Sequence, residues 1–159
     1  AIPLLQEKLS DQDLEVRVQA LRSLIQFRDP AIGPLLKKYV KDREPLIRIT
    51  ALRGMFLWNE KIDKNLLLQF LSDESSWVRR KVATLLGWTP MEGAFPILMQ
   101  LSKDPDSEVR KAALSSLTNL YPEESETRFM GVLTDKDPNL RTWARRHLEK
   151  KAGKPRRKG

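Results

Sequence analysis

The sequence predicts an all-α protein, an α-solenoid of five helix–turn–helix units with a 31-residue period. Three observations carry that expectation. An aspartate recurs every 31 residues, at Asp11, Asp42, Asp73, Asp104 and Asp135. Six residues after each stands an arginine: Arg17, Arg48, Arg79, Arg110 and Arg141. No insertion or deletion disturbs the register, and apolar residues fall at helical spacing on both sides of each aspartate. A fixed period of this size means stacked units, each burying its apolar face only against its neighbours. The units are expected over 1–31, 32–62, 63–93, 94–124 and 125–152, making one solenoid across 1–152 with a flexible basic tail over 153–159.

Each unit opens with a short apolar stretch. Pro3 to Leu9, Pro34 to Val40, Asn65 to Leu71, Pro96 to Leu101 and the weaker Thr127 to Leu133 are expected as first helices. Proline recurs at the front because its missing N–H costs nothing in a first turn. A turn follows, and then a second helix with a cap at Asp13, Glu44, Ser75, Asp106 or Asp137. Glutamate is the poorest cap of the five, while Pro45 and Pro138 sit where a helix start tolerates them. The inward stripe of the second helices is expected to be Val16, Ala20, Leu24 and Phe27, then Ile47, Ala51, Met55 and Trp58. Val78, Val82 and Leu86 continue it, followed by Val109, Ala113, Leu117 and Leu120, and finally Leu140, Ala144 and Leu148. The small residue three after each arginine lets helices approach closely.

Composition narrows the function classes. There is no apolar run long enough to span a bilayer, and no membrane partner is expected. The absence of cysteine removes disulfides and thiolate metal sites, and with a reducing compartment in mind a cytoplasmic location is expected. The net charge of +8 is unevenly spread: residues 125–159 hold 11 Lys and Arg against 4 acids, residues 1–124 hold 18 against 17. Lys154, Arg156, Arg157 and Lys158 concentrate basicity in the tail.

The run Asp104-Pro105-Asp106-Ser107-Glu108-Val109-Arg110-Lys111-Ala112-Ala113-Leu114 resembles HEAT repeats in their short bacterial form, and Asp11 to Leu24 and Asp73 to Leu86 follow it closely. The resemblance reaches to about Ala152. It implies that the turn aspartates and helix arginines form a hydrogen-bonded ladder between adjacent repeats, which makes all ten structural. A guanidinium fork can bind a carboxylate and still reach a backbone carbonyl. The resemblance also implies that the second helices line the concave face. It says less about function, since such solenoids serve as scaffolds, bilin lyases and some DNA glycosylases.

The side of the second helices opposite the inward stripe is assigned to residues one, two, five, eight and nine after each arginine. Of these 25 positions seven are Lys or Arg and one is acidic. Arg22, Arg53, Arg80, Lys81, Lys111 and Arg146 supply charge, while Phe56, Leu57, Trp88 and Trp143 supply apolar area. Val18, Ile25 and Ile49 fall on the same side, with Ile25 and Phe56 expected at least half covered. Such a surface suits an acidic, partly apolar protein segment, either an extended strand or an amphipathic helix. Nucleic acid is the rival partner, held by phosphate contacts from the groove and tail.

Catalysis has little support. His147 is the lone histidine, no phosphate loop or metalloprotease motif occurs, and neither cofactor nor metal is expected. Glu126, Arg128, Arg145 and His147 replace apolar equivalents in the last unit and read as a polar cap. Leu4, Leu5 and Leu9 do not, so the first unit is expected to expose a leucine cluster that further chain or a partner covers.

Overall fold

The computed structural model describes residues 2–27, 32–58, 62, 64–89 and 91–152. The basic tail over 153–159 lies outside the described residues, as do the side chains of 151 and 152. Helices α1 (Ile2–Lys8) and α2 (Leu14–Gln26) form the first pair, α3 (Ile32–Tyr39) and α4 (Pro45–Leu57) the second, and α5 (Lys64–Leu71) and α6 (Ser76–Trp88) the third. The fourth pair is α7 (Ala94–Leu101) and α8 (Ser107–Leu120). The last unit has α9 (Glu126–Gly131), a 3₁₀ turn (Val132–Thr134) and α10 (Pro138–Ala152). Within the first four units each first helix packs on its second, and α2, α4, α6 and α8 pack on one another in sequence. The result is an all-α solenoid in which α2, α4, α6 and α8 make one continuous layer.

The turn aspartates start the second helices. In every unit the carboxylate accepts the backbone N–H two residues on, at 2.8–3.1 Å, so the chain bends into the helix at a fixed place. Asp13, Asp106 and Asp137 then cap their helices by accepting first-turn N–H groups. The Ser75 hydroxyl, expected to do the same, makes no cap bond, and neither does Glu44. The Glu44 carboxylate instead stands 3.5 Å from Arg43 and 3.9 Å from Arg17. At Asp106 burial works to raise the pKa but is outweighed by the N–H groups of Val109 and Glu108, and the carboxyl ends below its ordinary range. At Asp137 a hydrogen bond with Ser107 leads, with Leu140 and Asn139 N–H adding to it, in the same downward direction.

The arginines join one unit to the next. Arg48 donates through Nε and Nη2 to the two carboxylate oxygens of Asp73, both at 2.7 Å. Arg79 forks onto Asp104 at 2.7 and 2.9 Å, and Arg110 onto Asp135 at 2.9 and 2.6 Å. In all five arginines Nη1 meanwhile donates back to the carbonyl of the aspartate six residues earlier, at 2.7–2.9 Å. One guanidinium thus ties its own turn to the following one. Arg17 differs, its Nη2 standing 3.9 Å from Glu44. At Asp135 burial opposes ionisation, but the Arg110 fork and the Asp137 N–H hold the carboxyl below its usual range.

The core follows most of the expected stripe and corrects it at four places. Ala20, Ala51, Val82, Ala113 and Ala144 are all buried at helix crossings. Phe27 is not core: it is the C-cap of α2, where the side chain leaves the stripe, and it is 53% exposed. Val16 is half-buried, whereas Ile47, Val78, Val109 and Leu140 are buried. Val18 and Ile49, assigned to the outer side, are buried in the layer of second helices. Leu9 is buried as well, so the expected leucine cluster reduces to an exposed Leu4 and a half-buried Leu5.

Two glycines record how closely the second helices approach. A Cβ on Gly54 would stand 2.7 Å from Ile25 Cδ1 and 2.9 Å from a methyl of Leu36. At Gly87 it would stand 2.2 Å from Ser116 Oγ and 2.7 Å from its Cβ, where the Ser116 hydroxyl donates to the carbonyl of Ala83. The last unit is closed differently. Arg128 donates to both the hydroxyl and the carbonyl oxygen of Ser102, and Phe129 stacks at 5.5 Å from Trp143 and 4.9 Å from His147.

Candidate functional site

A groove of about 700 Å³ opens on the layer of second helices, across α2, α4 and α6. Its positions repeat at a fixed offset. Leu46 and Trp77 stand two residues before the ladder arginine; Thr50 and Lys81 stand two after. Arg22, Arg53 and Thr84 stand five after, and Gln26, Leu57 and Trp88 nine after. Those offsets give the spacing i, i+4, i+7, i+11, one stripe along a helix. On α6 the stripe is Trp77, Lys81, Thr84 and Trp88; on α4 it is Leu46, Thr50, Arg53 and Leu57. Ile25, Ile49, Phe56 and Leu85 complete the apolar lining.

The chemistry is one-sided. Arg22, Arg53 and Lys81 bring three cations, and among the described residues no carboxylate lines the groove. Lys81 Nζ sits 5.6 Å from the centre of the Trp77 ring, a cation–π contact that holds the ammonium over an aromatic wall. Trp88 is 82% exposed, and Leu57 is the next most exposed large apolar residue. A tryptophan that open on a rigid helix offers a large contact area at little cost in side-chain entropy. Nothing in the interior requires it there.

Six of the residues singled out from the sequence meet in this groove: Arg22, Arg53, Phe56, Leu57, Lys81 and Trp88. Four do not line it. Arg80 is half-buried with Nη1 3.9 Å from Glu108, on the α8 side of α6. Lys111 lies further along, on α8. Trp143 is half-buried in the aromatic cluster with Phe129 and His147, and Arg146 is exposed elsewhere on α10. Trp77 and Leu46 were missed. All five offsets of the helical wheel contribute to the lining, Ile49 among them, but the wheel left out the offset two residues before the arginine, that of Leu46 and Trp77. The signal that finds Trp77 is its spacing of eleven residues from Trp88, three turns on one face.

No group of three or more His, Cys, Asp or Glu side chains that could hold a metal ion occurs among the described residues. His147 packs against Phe129 and Trp143 in the last unit, remote from the groove lining.

The model for HEAT repeats matches residues 2–56 and 64–153. The chain belongs to the HEAT-repeat family. No curated protein shows a significant match to it. HEAT repeats commonly mediate protein interactions, and solenoids of this kind are typically non-enzymatic scaffolds. Among the described residues no helix is long and apolar enough to cross a membrane.

Proposed function

We propose that this HEAT solenoid is a non-enzymatic scaffold that binds an acidic, partly apolar segment of another protein in the groove over α2, α4 and α6. The observation that carries the reading is the lining: three cations and two tryptophans with no carboxylate among the described residues. Complementary charge steers the partner and fixes its register, while the aromatic and leucine surface supplies the buried area. Arg80, Lys111, Trp143 and Arg146 lie outside this contact surface. The ladder arginines and aspartates hold the frame that presents the groove.

The test is charge reversal paired with a control outside the groove. Binding of a labelled acidic, leucine-containing peptide is followed by fluorescence anisotropy. Arg53→Glu with Lys81→Glu is expected to weaken it at least tenfold, and Arg146→Glu to leave it unchanged. Oligonucleotides are titrated in parallel at 50 and 200 mM salt. Tighter binding to nucleic acid, lost about 40-fold over that salt range for three phosphate contacts and abolished by the same reversal, overturns the protein reading in favour of a phosphate-binding groove.

A further inference from the structure

The groove has a direction. On α4 its lining runs from Leu46 to Leu57, and on α6 from Trp77 to Trp88, nearly the full length of both helices. From α2 it takes only the last turn and from α8 nothing. A segment crossing the solenoid from unit to unit would meet equivalent positions on every second helix. This lining instead follows the axes of α4 and α6, for about 16 Å at 1.5 Å per residue.

Two helices side by side with matching stripes at i, i+4, i+7 and i+11 present ridges and a furrow suited to a third helix. The hydrogen-bonding inventory points the same way. Groove walls made of helices have their backbone groups already paired, and the hydroxyls of Thr50 and Thr84 donate to Leu46 and Arg80 carbonyls. With no carboxylate in the lining, an extended chain buried here would find few acceptors for its N–H groups, and unmet buried donors are costly. A helix satisfies its own.

Resting on the reading of the groove as a protein-binding site, we infer that its occupant is an amphipathic α-helix of about three turns lying along α4 and α6. Its apolar stripe faces Leu57, Trp77 and Trp88, and carboxylates on its flanks face Arg53 and Lys81.

Labelled peptides of about 16 residues decide this, a length that covers the groove as a helix. The first carries leucines at helical spacing flanked by glutamates. The second is the same peptide with a central proline, the third an isomer of the first with leucine and glutamate alternating, and the fourth has lysine for glutamate. The first is expected to bind, the others at least tenfold more weakly, and Trp88→Ala to weaken the first at least tenfold. Trp88 is exposed, so that variant is expected to keep the wild-type circular dichroism and melting temperature. Equal or tighter binding by the alternating or the proline peptide overturns the helical occupant and leaves the acidic-segment reading standing. Equal binding by the lysine peptide overturns the acidic-segment reading itself. No binding by any of the four, or an unaffected Trp88→Ala, overturns both.

Discussion

Replacing Arg79 by alanine removes the central rung that ties the third unit to the fourth. The lost bonds are Nε and Nη2 to Asp104 at 2.7 and 2.9 Å, and Nη1 to the Asp73 carbonyl at 2.7 Å. The two side chains keep 13% and 6% of their exposure, so the pair is nearly dry. Truncating one partner of a buried ion pair costs about 3–5 kcal/mol, because the remaining charge is stranded. Asp104 retains the N–H of Asp106 at 2.9 Å, which places the expected loss at the low end, about 3 kcal/mol. Against a total stability of about 5–15 kcal/mol, that is a large fraction. Urea unfolding followed by far-ultraviolet circular dichroism reads it as a midpoint lowered by about 1–3 M, for a slope of about 1–3 kcal/mol/M. Adding Asp104→Ala is expected to recover part of the loss, with a coupling of about 1–3 kcal/mol, since the stranded carboxylate is then gone. A loss under about 1 kcal/mol, or strict additivity of the two substitutions, refutes the argument. Peptide binding per folded molecule stays unchanged, because Arg79 does not line the groove.

Gly87→Ala places a Cβ 2.2 Å from Ser116 Oγ and 2.7 Å from its Cβ, so α6 and α8 must separate; a net loss of about 1–2 kcal/mol is expected despite alanine's better helix propensity. Ser116→Gly in the same chain restores part of it in thermal melts, and a stabilised single mutant refutes the close approach. Acid unfolding tests the carboxylates. Asp106, Asp135 and Asp137 have folded pKa values held below the ordinary range, so their stabilisation is present above a pH of about 4 and is lost as pH falls through the folded values. Melting temperatures are expected to hold from pH 7 to about 5 and to drop below about 4, and the drop shrinks in Asp135→Asn. A flat profile down to pH 3 contradicts the assignment.

The period, the turn aspartates and the arginines were all legible in the chain, because each is dictated by local chemistry repeated without change. An aspartate that accepts the N–H two residues on needs nothing outside its own turn. An arginine six residues later reaches its own turn's carbonyl by helix geometry alone. The 31-residue register then puts the next aspartate in reach of Arg48, Arg79 and Arg110, whereas Arg17 shares the period and stands 3.9 Å from Glu44 instead.

The site was legible only in part. Composition located the cations and tryptophans on the second helices, but which of them share a surface depends on the rotation of each helix against its neighbours. Trp88 and Trp143 carry the same residue type at outward positions, yet one stands open and the other packs on Phe129. Phe27 and Trp58 occupy equivalent positions and also part company. The indole N–H of Trp58 donates to the carbonyl of Ile25 on α2 at 2.9 Å, while Phe27 has no polar handle and lies exposed. Periodicity and local chemistry determined the helix pairs and the bond from each arginine back to its own turn. Helix phase, set by side chains as small as Gly54 and Gly87 at the crossings, decided which residues form the groove.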